Sequence, residues 1–243
     1  MSGDLLLFLA LLLIAEVLGT IGGFGSSMIV MPLALLFLPF DQALGLTALF
    51  HVFSNGAKML LFRQGISKRL IIWLGVPAVI AVIIGAELTV FLNQQVLSLV
   101  LGILLVVLGV GLLVRSTWKV QATNRNAAVG GVISGLIAGL AGTGGAIRGI
   151  TLTAFDLEKM AFVSTSAWID MGVDLSRSVV YASHGFLTEA VLVYLPTMAV
   201  ASFAGSWLGK KALQRIPQEL FRKVVLGLVV IMGLVTIVQV VNN

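Results

Sequence analysis

Long uncharged hydrophobic runs, separated by short polar loops, make up most of this chain. The clearest runs occupy residues 70–86, 96–114, 127–147, 190–209 and 224–241. A helix needs about 20 apolar residues to cross the hydrocarbon core of a bilayer, and each run is close to that length. The pattern therefore predicts an all-α polytopic membrane protein.

The hydrophobic pattern is repeated at a constant shift of 119 residues. Residues 16–33, EVLGTIGGFGSSMIVMPL, align with residues 135–152, GLIAGLAGTGGAIRGITL. Duplicated hydrophobic segments that are interrupted by glycine at matching places in two halves are typical of secondary transporters. The repeat predicts two units, residues 1–120 and residues 121–243.

The composition supports the membrane assignment and excludes several functional classes. The chain is 59% hydrophobic and only 10% charged, whereas soluble domains carry about 25% charged residues. It contains no cysteine, which rules out thiolate chemistry and cysteine metal sites, and we expect no metal or cofactor. The net charge of +5 comes from loops between hydrophobic runs. We therefore expect the positively charged loops to lie beside the lipid bilayer, and we do not expect the protein to bind nucleic acid.

The basic residues are concentrated in three loops. The turn at 91–96 and the loop at 182–189 contain neither Lys nor Arg. Cytoplasmic loops carry an excess of positive charge, so we place the basic loops in the cytoplasm and the neutral loops outside a bacterial inner membrane, with both termini external. The basic loops hold 11 of the 15 Lys and Arg residues: Arg63, Lys68 and Arg69; Arg115, Lys119 and Arg125; and Lys210, Lys211, Arg215, Arg222 and Lys223.

This topology gives the two repeats opposite orientations. The helix that ends near Phe62 meets a basic loop, whereas the equivalent helix that ends near Tyr181 meets a neutral loop. Each repeat must therefore cross the membrane an odd number of times. Three spans in each repeat satisfy this requirement: 41–62, 69–92 and 95–115, then 159–181, 189–209 and 223–241.

The remaining segments, residues 4–39 and 127–155, must then enter and leave on one side. A helix over residues 5–18 would be about 21 Å long and one over residues 28–38 about 16 Å, and both are too short to cross. We interpret each segment as a re-entrant hairpin. Their Gly-rich tips approach from opposite sides and should meet, because irregular backbone inside a membrane must be buried in protein or line a hydrated cavity.

The two tips are candidate anion-binding elements. The first tip is GGFGSS at 22–27, and the second tip is AGTGGA at 141–146. The amides that open the following helices attract anions, and glycine lets the backbone approach a ligand closely. The alternative is that the small residues only allow close helix packing. The candidate substrate-binding residues of the tips are Gly23, Gly25, Ser26, Ser27, Gly142, Thr143, Gly144 and Gly145.

Arg148 is the third part of the predicted binding site. It lies one turn into the helix after the second tip, and its repeat counterpart is Ile29. Ionisable groups inside a membrane are costly unless they are paired or hydrated, so they mark functional sites by default. The alternatives are a structural ion pair with Asp170 or Asp174, or a side chain that extends to the cytoplasmic edge.

Polar stripes on the helices after the hairpins are candidates for coupling or gating. Each stripe has the spacing i, i+4, i+7, which places its members on one helix face. Asp170, Asp174 and His51 are groups able to carry a proton. The alternatives are that Lys58 and Arg177 extend to the membrane edges and that Asp174 pairs with Arg177. Glu16 could be a partner of Lys58. The stripes are His51, Asn55 and Lys58, and their counterparts Asp170, Asp174 and Arg177.

At these residues the chain resembles the sulfite exporter (TauE/SafE-like, TSUP) family of membrane transporters, which is marked by duplicated GxGGGxxxxP-like segments. Here the segments read GFGSS at 23–27 with Pro32, and GTGGA at 142–146 with Thr151. Both copies depart from the pattern, since serines replace two glycines in the first and Ala146 and Thr151 replace a glycine and the proline in the second. The resemblance implies transport of sulfur-containing oxyanions or organosulfonates such as sulfite.

These observations favour a secondary transporter that exports a small sulfur-containing anion by alternating access, with proton coupling as a further hypothesis. A passive anion channel would use the same residues, and a cation/proton antiporter would use Asp170 and Asp174. A homodimer is left open as an alternative to a monomer. The sequence argues against an enzyme, because it has no HExxH motif, no Ser/His/Asp grouping and only two histidines.

Overall fold

The chain forms one helical bundle. The computed structural model describes residues 3–22, 25–114, 121–213, 215 and 218–242, and every regular element in these residues is helical. Five helices, α1 to α5, precede residue 115 and five, α6 to α10, follow residue 120. They are α1 (Gly3–Gly22), α2 (Ser27–Ala34), α3 (Phe40–Leu61), α4 (Lys68–Thr89), α5 (Gln94–Val114), α6 (Asn124–Ala141), α7 (Gly145–Thr153), α8 (Lys159–Ser183), α9 (Leu195–Leu213) and α10 (Gln218–Asn242).

The all-helical prediction is confirmed, and each of the six predicted spans coincides with a helix. The largest shift is at the start of α9, where a short helical turn, Glu189–Leu192, precedes the main helix. Pro196 explains the break, because a proline fits only the first turn of a helix, where its missing N–H needs no partner. Inside α4, its counterpart Pro77 is separated by Val76 from a π-helical turn, Ile71–Gly75.

Large apolar side chains cover the outer faces of α5 and α10. Val100 and Val107 of α5 and Val238 of α10 are at least half exposed, and soluble monomers rarely expose apolar patches of this extent. Within the described part of the chain, Lys68–Thr89 and Gln94–Gly111 are long and apolar enough to span a membrane. This outer surface is suited to lipid.

The arms of the two broken segments differ in length from the sequence-based expectation. We predicted a short first arm over residues 5–18, but α1 has 20 residues and α6 has 18, or about 30 and 27 Å. Gly19 does not end α1. A Cβ at this position would collide with the backbone of Ser26, so the glycine lets the first tip fold back against the helix. Each segment combines one long helix with a short one, and a re-entrant path stays a prediction.

The helices pack in pairs that are related by the repeat. α1 packs against α9, and its counterpart α6 packs against α4. α3 packs against α8, and α5 against α10, so these helices meet their own counterparts. The first helix of each predicted repeat therefore packs on the other repeat, and the two repeats interleave.

Glycines allow the closest of these contacts. On α6, a Cβ at Gly131, Gly135 or Gly139 would collide with the carbonyl groups of α4. On α9, a Cβ at Gly205 would lie 2.7 Å from the Cβ of Glu16. At these positions the small residues serve helix packing.

The basic loops lie at one end of the bundle. Lys210 Nζ donates a hydrogen bond to the carbonyl of Leu61 at 2.6 Å, and Arg69 Nε donates to Asn124 Oδ1 at 2.7 Å. These contacts join the end of α3 to the end of α9, and the start of α4 to the start of α6. Of the second basic loop, Arg115 and Lys119 lie outside the described residues.

Candidate functional site

The two tips meet, as the sequence predicted. Thr143 Oγ1 donates to Ser27 Oγ at 3.4 Å. Gly142 ends α6 in the left-handed conformation, at φ 74°, which glycine adopts without strain. Gly25 in the first tip also has a positive φ, 80°. Gly23 lies outside the described residues.

A small, partly open polar cavity of about 20 Å³ lies beside the meeting point, which is room for about one water molecule. It lies between the two tips and the facing helices α3 and α8. Five of the predicted substrate-binding residues and all six predicted coupling residues line it; Ser26, Thr143 and Gly145 are buried as well but do not line it. The predicted residues that line it are Gly25, Ser27, Gly142, Gly144 and Arg148 from the tips and their helices, and His51, Asn55, Lys58, Asp170, Asp174 and Arg177 from the stripes; Ala138 and Val173 complete the lining.

The two polar stripes touch at equivalent positions of the repeat. Asn55 Nδ2 donates to Asp174 Oδ2 at 2.7 Å, and these residues are 119 positions apart. Lys58 is 5% exposed and Arg177 only 1%. Their charged ends therefore do not reach the protein surface, and the interpretation that they extend to the membrane edges is wrong.

The guanidinium of Arg177 contacts both the carboxylate of Asp174 and the backbone of α6. Its Nε and Nη2 atoms contact Asp174 Oδ1 at 2.8 and 2.7 Å, which confirms the predicted pair. Its Nη1 atom donates to the carbonyls of Ala138 and Gly142 at 3.3 and 3.1 Å. Since the last carbonyls of a helix have no partner within the helix and carry its negative dipole end, the guanidinium caps α6.

Arg148 pairs with Asp170. Its Nη1 atom contacts Asp170 Oδ1, and its Nε atom donates to Ser166 Oγ at 3.2 Å. Ser166 Oγ in turn donates to Asp170 Oδ2 at 3.2 Å. A Cβ on Gly25 would lie 3.4 Å from Arg148 Nη2, so this arginine of the second repeat reaches the first tip.

Glu16 is the functional candidate that the sequence left undecided. Its side chain is fully buried and forms a 2.9 Å ion pair with Lys58. A lone carboxylate in an apolar helix was the available signal, but its partners come from four helices or tips and could not be identified from spacing. The carboxylate accepts hydrogen bonds from Thr20, Ser26, Ser54, Lys58 and Ser206.

His51 connects the Glu16 cluster to Arg177. Ser26 Oγ donates its single proton to Glu16 Oε2 at 2.7 Å, so at the 3.0 Å contact between Ser26 Oγ and His51 Nε2 the ring nitrogen is the donor. His51 Nδ1 is then free to accept from Arg177 Nη2 at 3.4 Å. This chain of hydrogen bonds fixes the tautomer of His51 and links the two repeats.

A second, smaller cavity adjoins the first. Gly25, Lys58 and Asp170 line both cavities. The second one extends along α8 towards its first turns, where the backbone N–H of Ser67 donates to Thr165 Oγ1 at 3.0 Å. It therefore faces the end of the bundle that carries the basic loops.

The family assignment follows from a comparison over nearly the whole chain. The family model described as sulfite exporter TauE/SafE matches residues 7–236. The chain belongs to this family. No curated protein and no solved structure matches the sequence. The members of the sulfite exporter family are membrane transporters and not enzymes, which agrees with the buried polar cavity and the apolar outer surface.

Proposed function

We propose that this sulfite exporter family member is a secondary transporter that exports a small sulfur-containing anion, such as sulfite or an organosulfonate, across the bacterial inner membrane. The observation that carries the proposal is the cavity between the two tips, where Lys58, Arg148 and Arg177 converge. Buried cationic groups inside a membrane protein mark substrate or ion pathways.

The tips supply further anion ligands in this proposal. α2 and α7 begin at Ser27 and Gly145, and neither helix is capped by the side chain of its preceding residue. Ser26 Oγ contacts Glu16 and His51 instead, and Gly144 has no side chain. Such amides attract oxyanions, and Arg148 adds a planar set of donors.

Alternating access would operate between the two ends of the bundle. The second cavity faces the basic end, which we assign to the cytoplasm on the basis of the positive-inside rule. Towards the other end, Arg177 and Tyr181 bind the last carbonyls of α6 and close the site. We propose that this arrangement is the cytoplasm-facing state of two inverted repeats, and that both termini are external.

Proton coupling through Asp170, Asp174 and His51 completes the proposal. Each of these groups lines the cavity, and each contacts a cationic side chain. A proton on one of the carboxylates would weaken its ion pair and change the charge of the cavity. Transport by Asp170→Asn and Asp174→Asn variants with an unchanged dependence on the pH gradient would contradict this coupling.

Replacement of Arg148 tests the anion site. In proteoliposomes, we expect saturable sulfite transport by the wild type. Arg148→Ala should weaken the apparent affinity by about 10- to 100-fold, because hydrogen bonds to a charged ligand contribute about 1.5–3 kcal/mol. Thermal stabilisation of the purified protein by sulfite should fall in parallel.

Arg69→Ala is the matched control, because Arg69 lies at the basic end and bonds Asn124. It should transport sulfite as the wild type does. Conductance without saturation would indicate a passive channel. A Na⁺ flux that depends on Asp170 and Asp174 would indicate a cation/proton antiporter. The absence of both stabilisation and transport by any sulfur-containing anion would overturn the proposal.

A further inference from the structure

We infer that the cavity selects singly charged anions over doubly charged ones, because it can release only one buried cation, Arg148, by neutralising Asp170. This inference rests on the proposed transport function and adds the charge class of the substrate. It follows from the charges around the cavity and from how firmly each ion pair is held.

The charges around the cavity cancel. Three cationic side chains line the cavity, and each is paired with a carboxylate, although Glu16 lies behind Lys58 and not in the lining; no further Lys, Arg, Asp or Glu lines the cavity in the described part of the chain. An anion that entered this neutral site would be buried without a counter-charge, which is costly. One carboxylate must therefore lose its charge before an anion binds. The pairs are Lys58 with Glu16, Arg148 with Asp170, and Arg177 with Asp174.

Two of the three pairs are held by many additional bonds. Glu16 accepts hydrogen bonds from four hydroxyl groups besides Lys58. Asp174 accepts from Asn55, and Arg177 also caps two carbonyls of α6. The removal of either carboxylate charge would disturb several contacts between helices.

The pair of Arg148 and Asp170 has fewer restraints. Apart from the ion pair, both side chains share a single additional partner, the hydroxyl of Ser166. Asp170 also lines the second cavity, on the side of the basic end. Of the three pairs, this one can open with the least disturbance.

The groups around Asp170 determine the net charge of the cavity after the ion pair between Arg148 and Asp170 has opened. It faces Arg148 from α7 and shares the cavity with Lys58 and His51 from α3 and with Asp174 and Arg177 from its own helix. α4 faces this part of α8 with Gly75 and Val79, which carry no charge.

A proton bound to the Asp170 carboxylate breaks the ion pair and leaves the guanidinium of Arg148 as one uncompensated positive charge. A hydrogen sulfite or sulfonate ion with one negative charge restores neutrality. A dianion leaves one negative charge unpaired in a buried site. Binding of the monoanion is therefore accompanied by the uptake of one proton.

Titration calorimetry of the purified protein tests this inference with methanesulfonate as the monoanion and sulfate as the dianion. We expect methanesulfonate to bind at least about tenfold more tightly than sulfate. Measurements in two buffers with different ionisation enthalpies should report an uptake of about one proton per methanesulfonate bound.

The Asp170→Asn variant has no negative charge at position 170, so its cavity has the same net charge as that of the wild type with a protonated Asp170. It should still bind methanesulfonate, and proton uptake should vanish. Asp156→Asn is the matched control, because Asp156 lies in the loop before α8 with φ 46°, a conformation that asparagine tolerates. This control should keep both the affinity and the proton uptake of the wild type.

Equal binding of sulfate and methanesulfonate, or proton uptake that persists in Asp170→Asn, would overturn the inference while leaving the transport function intact. The comparison of the two anions on the wild type remains decisive even if Asp170→Asn fails to fold. The absence of binding and transport for every sulfur-containing anion would instead overturn the proposed function itself.

Discussion

The Glu16 carboxylate gathers four hydroxyl groups and the Lys58 ammonium into one buried cluster. Its neighbours belong to α1, the first tip, α3 and α9, so a single side chain joins helices from both repeats. Through Ser26 and His51 the cluster also contacts Arg177. We therefore regard Glu16 as a residue that positions Lys58 at the cavity wall.

Glu16→Gln should destabilise the protein by about 3–5 kcal/mol, because removing one partner of a buried pair leaves the other charge uncompensated. Unfolding in detergent measures the effect. Glu87→Gln is the control, since Glu87 is half exposed at its contact with His184 and should change stability by no more than about 0.5 kcal/mol. Equal stability of Glu16→Gln and the wild type would contradict the positioning role.

At the scale of elements, the long and short helices of each broken segment have separate tasks. α1 and α6 pack tightly on α9 and α4 through glycines, whereas α2 and α7 follow the tips beside the cavity. The glycines of α6 serve packing, and so does Gly144 of the second tip, where a Cβ would collide with the carbonyl of Ser134. Gly25 and Gly142 instead provide the positive φ angles of the tips. One pattern in the sequence thus corresponds to two physical roles.

Gly135→Leu should destabilise the contact between α6 and α4, because the added side chain collides with the carbonyl of Ala78. Overpacking of this kind costs about 1–3 kcal/mol. Gly111→Leu on α5 is the matched control, since a Cβ there meets no atom within 4 Å. In thermal unfolding, Gly135→Leu should have a lower melting temperature than Gly111→Leu. The same melting temperature for both variants would exclude tight packing at Gly135.

At the scale of the whole molecule, the side chains at the two ends of the helical bundle differ in charge. The ends of α3 and α9 and the starts of α4 and α6 form a basic end. Glu87 and His184 form a 2.9 Å contact between the end of α4 and the loop after α8, away from that basic end. The positive-inside rule then assigns opposite sides of the membrane to these two surfaces.

The absence of cysteine from the sequence makes this orientation directly testable. A membrane-impermeant maleimide should label Ala182→Cys in intact cells, because Ala182 lies in the last turn of α8, beside a loop that is external in our assignment. Gln64→Cys, in the basic loop after α3, should react only after the membrane is permeabilised. Both residues are exposed, so labelling of both from the same side would contradict the assignment.

The sequence alone determined the all-helical membrane fold, the two tips and the two polar stripes. These features depend on local periodicity, since a stripe at i, i+4, i+7 occupies one face of any helix. The repeat added the expectation that the tips meet, which the contact between Thr143 and Ser27 confirmed. The functions of the site residues are still predictions.

Only the tertiary structure decided the partners of the buried charges and the length of α1. Arg148 could have paired with Asp170 or Asp174, because spacing along one helix does not fix the rotation of a neighbouring helix. Gly19 could have ended α1, but packing offset the weak helix propensity of glycine, which is about 1 kcal/mol. Such choices depend on contacts between residues far apart in the chain, which a linear pattern does not contain.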